Sequence, residues 1–184
     1  MNGFHTFDPG RADELEETDR YRHLSVEELI GASAVSGDDV VVDLGSGTGF
    51  YTDDFAAVAE RVYAIDVQPL MHRLYREKGL PPNVESIAAD GGHVPLSDRV
   101  ADVVVSTMTH HELPARTASE AARLLRPGGR IVVADWTADG PGEAGPPLDE
   151  RFDTWWVAST LSDAGFEITR AESRRETLFV VGVR

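Results

Sequence analysis

The stretch Val40-Val41-Val42-Asp43-Leu44-Gly45-Ser46-Gly47-Thr48-Gly49-Phe50-Tyr51 constrains this chain more than any other. A β-branched apolar run ends at an acid and passes into three glycines at alternate positions. Such a run reads as a strand buried in a parallel sheet, and the glycines as a tight turn into a helix. Glycine has no Cβ, so a ligand can lie directly on the backbone. The helix beyond would aim its first free N–H groups and the positive end of its dipole at the same point. Turns of this kind, at the carboxyl end of a central strand, are where open α/β sheets take nucleotides.

The spacing narrows the ligand. A dinucleotide fingerprint reads G-x-G-x-x-G. Here Gly45, Gly47 and Gly49 give G-x-G-x-G around Ser46 and Thr48, and Phe50 stands where the third glycine would fall. Asp43 would repel a pyrophosphate and attract an ammonium group. On these residues the chain resembles the class I S-adenosylmethionine (SAM) dependent methyltransferases, whose first motif reads E/D-x-G-x-G-x-G. SAM has a cationic amino-acid end and no phosphate, which suits an acid here.

The first strand is expected over Asp39–Leu44 and the helix after its turn from about Phe50 to Ala59; the second strand, Arg61–Asp66, ends in an acid 17 residues after Gly49. A carboxylate at the tip of a neighbouring strand can accept both hydroxyls of a ribose. The resemblance puts Asp66 in that role, with Val67 and Gln68 against the adenine; Asp66 also suits the N-cap of a helix starting near Pro69. A helix over Pro69–Lys78 stops at Gly79, and Val84–Asp90 reads as a third strand. In the family, Asp90 would accept from the adenine exocyclic amine and Gly91 would offer its N–H to the ring. His93–Asp98 is too short to cross over as a helix and is expected to be a loop.

Strand four, Ala101–Thr107, runs into Met108-Thr109-His110-His111-Glu112. Here the pattern is similar to the ubiquinone/menaquinone-biosynthesis and type 11 small-molecule methyltransferases. The resemblance places Thr107 and Met108 along the methionine chain and the acceptor near the histidines. His110 or His111 could serve as general base or orient the acceptor; equally, one could pack or cap a helix near Pro114. No metal site is expected from His-His-Glu, because adjacent side chains diverge. A helix over Arg116–Arg126 precedes Leu124-Leu125-Arg126-Pro127-Gly128-Gly129-Arg130-Ile131, which matches the family's turn into strand five. Residues 137–150 are rich in Gly and Pro and read as a loop. A helix carrying Trp155 and Trp156 follows to about Ala164, then a strand pair, Phe166–Glu172 and Thr177–Val183.

Before the glycine turn, residues 1–24 lack periodicity, while Ser25-Val26-Glu27-Glu28 is a capping-box pattern for a short helix. Arg20, Tyr21, Arg22 and His23 form a cationic and aromatic cluster, either a solvated face or part of a lid placing Tyr21 or Arg22 by the acceptor. The resemblance covers nearly the whole chain. It implies an α/β Rossmann-like three-layer sandwich with a seven-stranded, mostly parallel sheet ordered 3-2-1-4-5-7-6 and an antiparallel last strand. One domain over 1–184 is expected, with an N-terminal helical lid over 1–35 and a core over 36–184.

Composition excludes several partners. The net charge of −15 disfavours a nucleic-acid substrate, which needs a basic face. Cysteine is absent, which removes thiolate chemistry and any acceptor held by thiolates. No apolar run reaches membrane-spanning length and no signal-peptide pattern opens the chain, so a cytoplasmic protein is expected, monomeric or homodimeric. Lys78 is the only lysine among 17 Lys and Arg residues, as in a salt-adapted surface or a GC-rich genome. The expected function is SAM-dependent methylation of a small-molecule acceptor by in-line displacement. The alternatives are a SAM-binding protein without catalysis and a scaffold that keeps only the fold. A nicotinamide oxidoreductase is disfavoured by the glycine spacing.

Overall fold

The computed structural model describes residues 6–184. Seven strands form one sheet: β1 (Val40–Leu44), β2 (Arg61–Asp66), β3 (Val84–Ala88), β4 (Ala101–Thr107), β5 (Leu125–Trp136), β6 (Glu167–Ser173) and β7 (Thr177–Val183). Their order is β3-β2-β1-β4-β5-β7-β6, and β7 runs antiparallel to both of its neighbours. This is the expected Rossmann-like sheet. Five α-helices flank it: α1 (Val26–Ser33), α2 (Phe50–Ala56), α3 (Pro69–Gly79), α4 (Thr117–Leu124) and α5 (Thr154–Asp163).

The apolar runs of β1, β4, β5 and β7 are continuous because both faces of the sheet are covered. Successive side chains alternate between two cores. Val41, Val103, Val105, Val132 and Phe179 pack with Leu29 of α1, Tyr51 and Phe55 of α2 and Tyr75 of α3. Val42, Val104, Ile131, Val133 and Val180 pack with Ala121 and Leu124 of α4 and Val157 and Leu161 of α5. The chain leaves β1 toward β2 and β3, then returns across to β4. The crevice at the carboxyl ends of β1 and β4 is therefore the topological switch point, where sheets of this type take ligands.

Several boundaries differ from the sequence reading, each for a local reason. Asp39 precedes β1 because its carboxylate accepts from the Ser36 N–H and hydroxyl in a turn. Asp90 lies beyond β3, bridged to His93. Helix α2 ends at Ala56, where the Asn83 amide donates to the carbonyls of Ala56 and Ala59 from across the fold. Pro127-Gly128-Gly129 turns the chain as expected, with Gly128 at φ 83°, but the turn lies inside β5, where the register jumps from Leu125 opposite Ala101 to Arg130 opposite Val103. Near Pro114 there is no helix start: His110–Glu112 is a short 3₁₀ turn and α4 begins at Thr117. The aperiodic N-terminal stretch forms two 3₁₀ helices, Pro9–Glu16 and Thr18–Arg22; residues 1–5 of the expected lid lie outside the described residues. Ser25 caps α1 by accepting from the Glu28 N–H, but the Glu28 carboxylate reaches Arg170 and Arg174 instead of closing the box.

Gly49 caps α2 at φ 87°, and a Cβ built there would stand 2.1 Å from the Tyr75 ring. Backbone strain and a clash with a buried aromatic act together at this position. Gly49→Ala is expected to lose about 3 kcal/mol of unfolding free energy in urea, whereas Gly79→Ala, with φ 115° and open space, should lose only the backbone part.

Candidate functional site

The turn after β1 is fixed by its neighbour strand. Gly45 and Ser46 both donate their N–H to the Ile65 carbonyl, at 2.8 and 2.9 Å. One residue on, Asp66 accepts from the Gly47 N–H at 3.0 Å and the Gln68 N–H at 2.8 Å. The glycines are required sterically as well. A Cβ on Gly45 would meet the Thr109 side chain at 2.4 Å, and one on Gly47 would meet Leu15 at 3.3 Å.

Three adjoining cavities open here. A narrow cleft of about 60 Å³ is lined by Gly45, Ser46, Gly47, Asp66, Gln68, Thr107 and Met108, with Arg20, Phe7 and Leu15 from the N-terminal segment. A smaller slot beside it is lined by Asp66, Val67, Gln68, Asp90, Gly91, Leu113 and Pro114. Beyond Met108 lies a chamber of about 700 Å³, walled by Phe7, Arg20, His23, His111, Glu112, Trp136, Pro146 and Glu150 among others. Phe7, Leu15, Arg20, Met108 and Glu112 line both cleft and chamber, so the two spaces meet.

Ten of the twelve residues assigned to the cofactor from sequence line the cleft or the slot. The other two lie beneath the turn. Gly49 carries the Tyr75 contact, and Asp43 is buried, with one oxygen accepting from the Thr52 hydroxyl at 2.6 Å and the other unpartnered. Burial pushes the Asp43 carboxyl up to about 6, and the Asp66 charge adds to this, while the Thr52 bond and the Arg20 charge oppose it. Burial also raises Asp66, against the two backbone N–H groups that favour its charged form. Arg20 is itself desolvated and stands over the faces of Phe50 and Tyr51, at 5.0 and 5.2 Å.

The three acceptor-side candidates separate. His111 lines the chamber, and its Nδ1 lies 3.0 Å from both oxygens of Asp135. His110 is buried, lines none of the three cavities, and burial lowers its pKa. Tyr21 also stands outside them: its hydroxyl donates to Asp54 at 3.0 Å and its ring packs on Phe50 and Tyr51. Helix α2 captures this ring, so Tyr21 faces away from the chamber that the lid reading assigned to it.

Several site residues were not legible beforehand. Asp135 ends β5 inside a family-like strand pattern, yet only the fold brings it to His111. Glu112 lines all three cavities and accepts from the Phe7 N–H at 3.2 Å. Arg151 organises the Gly/Pro-rich loop by donating to the carbonyls of Ala144 and Pro146 and pairing with Glu176. An isolated arginine carries no sequence signal for that task.

An unfolded Asp titrates near ~3.9, so between there and about 6 the folded state holds the extra Asp43 proton. Stability from this group is therefore present at low pH and is lost as pH rises through the window. Urea unfolding of Asp43→Asn against wild type should show the difference shifting in the variant's favour by about 2 kcal/mol from about pH 4 to pH 7. A difference that is flat with pH would show that Asp43 is not desolvated.

A sequence model for the methyltransferase domain (Methyltransf_11) matches residues 42–133. An arsenite methyltransferase of Halobacterium salinarum is 31% identical over 164 residues, 79% of this chain and 41% of that protein. A ubiquinone/menaquinone biosynthesis C-methyltransferase UbiE of Ectopseudomonas mendocina is 30% identical over 138 residues, 68% of this chain and 51% of that protein. The chain spans about half or less of the length of these curated relatives. A SAM dependent methyltransferase from Aquifex aeolicus, solved as a crystal structure, superposes with a TM-score of 0.88 at 28% identity, covering 97% of this chain and 99% of that one. A family match over half the chain, together with a fold shared along almost all of it, places this chain in the SAM-dependent methyltransferase domain family.

Proposed function

We propose that this chain transfers the methyl group of SAM to a small molecule held in the chamber beyond Met108. The observation that carries this reading is the junction of the glycine-turn cleft with that chamber at Met108 and Glu112. A reactive group lying along the turn would reach the chamber there and nowhere deeper in the protein.

The residues present fit the cofactor. The cleft offers glycine backbone for close approach, an acid at the tip of β2 and, beneath the turn, an unpartnered Asp43 oxygen and Ser46 hydroxyl. Each oxygen of Asp66 accepts one N–H, leaving lone pairs for two ribose hydroxyls. Arg20 suits the methionine carboxylate, and Asp43 favours the ammonium beside it. Asp90 accepts from the Gly92 N–H and pairs with Arg116, and its remaining lone pairs suit the adenine amine, with the Gly91 N–H toward the ring. Bound SAM supplies an already activated methyl on a sulfonium. The protein's task is positioning and exclusion of water.

The N-terminal segment is proposed as the lid of a single domain. Phe7 is bonded through its carbonyl to the Gln68 amide and through its N–H to Glu112. Glu16 bonds the Thr48 hydroxyl and pairs with Lys78. Phe7 and Leu15 lie across a cleft of about 60 Å³, far below the volume of ligand sites in general, so loading requires this segment to lift. Among the described residues no helix is long and apolar enough to cross a membrane. The net charge of −15 supports small molecules and not nucleic acid as the substrate; the enzyme is proposed to be cytoplasmic, monomeric or dimeric. The absence of cysteine gives no support to an arsenic acceptor held by thiolates.

Calorimetric titration with SAM and S-adenosylhomocysteine tests the reading. Wild type should bind both, and Asp66→Ala should bind at least about tenfold more weakly, a loss of ~1.4 kcal/mol. Absence of binding by the wild type at both moderate and high salt would overturn it.

A further inference from the structure

The geometry points to His111 as the general base for an acceptor that presents a phenol-type hydroxyl, with Asp135 as the residue that positions it. This rests on the proposed methyl transfer and names its acceptor class.

Asp135 is buried at the end of β5 and is held by two backbone bonds, accepting from the N–H of His111 at 2.7 Å and of Trp136 at 2.8 Å. The same carboxylate lies 3.0 Å from His111 Nδ1 through either oxygen. A carboxylate can only accept, so Nδ1 carries a hydrogen, and in the neutral ring Nε2 keeps the lone pair. The nearest carboxylate to Nε2 is Glu112 Oε1 at 3.8 Å, beyond hydrogen-bond reach. Among the described residues nothing bonds this basic ring nitrogen, on a side chain that lines the chamber.

The charged groups around the ring define what it can accept. Asp135 faces it from β5, Glu112 and His110 from its own turn, and Glu150 from the 3₁₀ turn Leu148–Glu150. Burial opposes a charged ring, yet Asp135, Glu112 and Glu150 together hold its pKa above the ordinary histidine value. Arg11, Arg20 and Arg22 line the chamber on its N-terminal side, but at the His111 end the acids prevail and repel an acceptor group arriving there as an anion. A neutral hydroxyl must therefore enter and lose its proton in place. A neutral amine attacks through a lone pair it already has and needs no base beforehand, whereas a hydroxyl becomes a strong nucleophile by losing its proton. Trp136, Phe7, Pro146 and Pro147 give the chamber flat apolar walls suited to an aromatic ring.

In the step itself, the acceptor O–H bond breaks toward His111 Nε2 and the imidazolium is held by Asp135. The oxygen lone pair forms the bond to the methyl carbon, and the pair of the broken C–S bond remains on sulfur as a neutral thioether. The proton then leaves to solvent from Nε2.

Two measurements test this. Nitrogen-15 NMR of the His111 ring in the free protein should show the neutral Nδ1–H tautomer and a pKa above ~6.5, with Asp135→Asn lowering that pKa. An Nε2–H tautomer would overturn the proposal without any turnover assay. Methyl transfer would then be assayed on substituted phenols and naphthols, with benzylamines and thiophenols of similar size as rivals. Wild type should methylate hydroxyl acceptors, and His111→Gln should lower kcat by about a hundredfold or more with little change in KM. Its SAM affinity should stay within about twofold of wild type. In Asp135→Asn the acid limb of the rate profile should move to lower pH, which a purely structural loss would not produce. Turnover of amines or thiols alone, unchanged hydroxyl turnover in His111→Gln, or SAM binding with no hydroxyl turnover would each overturn the assignment. Absence of SAM binding would instead overturn the methyltransferase reading beneath it.

Discussion

The Ile65 carbonyl, accepting from the N–H groups of both Gly45 and Ser46 at the end of β2, is the contact on which the site depends. It ties the turn after β1 to the neighbouring strand, and Asp66 completes the tie through the Gly47 N–H. Backbone donors that would otherwise be unpaired in a buried crevice are thereby satisfied. The same bonds set the Asp66 carboxylate at the mouth of the cleft. Parallel register between β1 and β2, with Leu44 opposite Ile65, is what makes this alignment possible. A shift of one residue would send each side chain to the other face of the sheet.

Two acids and one arginine are gathered out of water around the turn. Asp43 and Asp66 are both desolvated, which by itself disfavours two negative charges. Arg20 reduces the conflict from the N-terminal segment, its own charge stabilised by two aromatic faces. A buried carboxyl held near neutral pH is a strained arrangement that stability alone would not select. It becomes favourable when an ammonium and a sulfonium lie nearby.

The chamber is assembled from parts far apart in the chain. The N-terminal 3₁₀ helices, the turn after β4, the end of β5 and the loop after it each give one wall. Apart from the end of β5, these walls are 3₁₀ turns and loops. Each is fixed by a side-chain bond to something distant: Phe7 to Glu112, Glu16 to Lys78, Arg151 to Glu176. Loops held on a rigid sheet in this way can diversify without disturbing the cofactor end.

The division between sequence and structure follows from the range of the interactions. The glycine turn and the acids after β2 and β3 were legible because they rest on local chemistry: β-branched runs, glycine turns and spacings along one strand–turn–helix unit; the sheet order was implied by the family resemblance. The ends of α2 and β5 were not, because Asn83 caps the helix from across the fold and the Pro127-Gly128-Gly129 turn is taken into β5 as a register shift against β4. The histidine pair shows the difference most clearly. His110 and His111 are equivalent in the sequence, yet the 3₁₀ turn sends one into the core and the other to the chamber. Tyr21 was placed by the captive stacking of Phe50 and Tyr51, and His111 acquired its partner only because β4 and β5 lie side by side. Local pattern determined where the glycine-turn cleft lies; long-range packing decided which groups line the chamber, since those contacts join residues that no spacing rule connects.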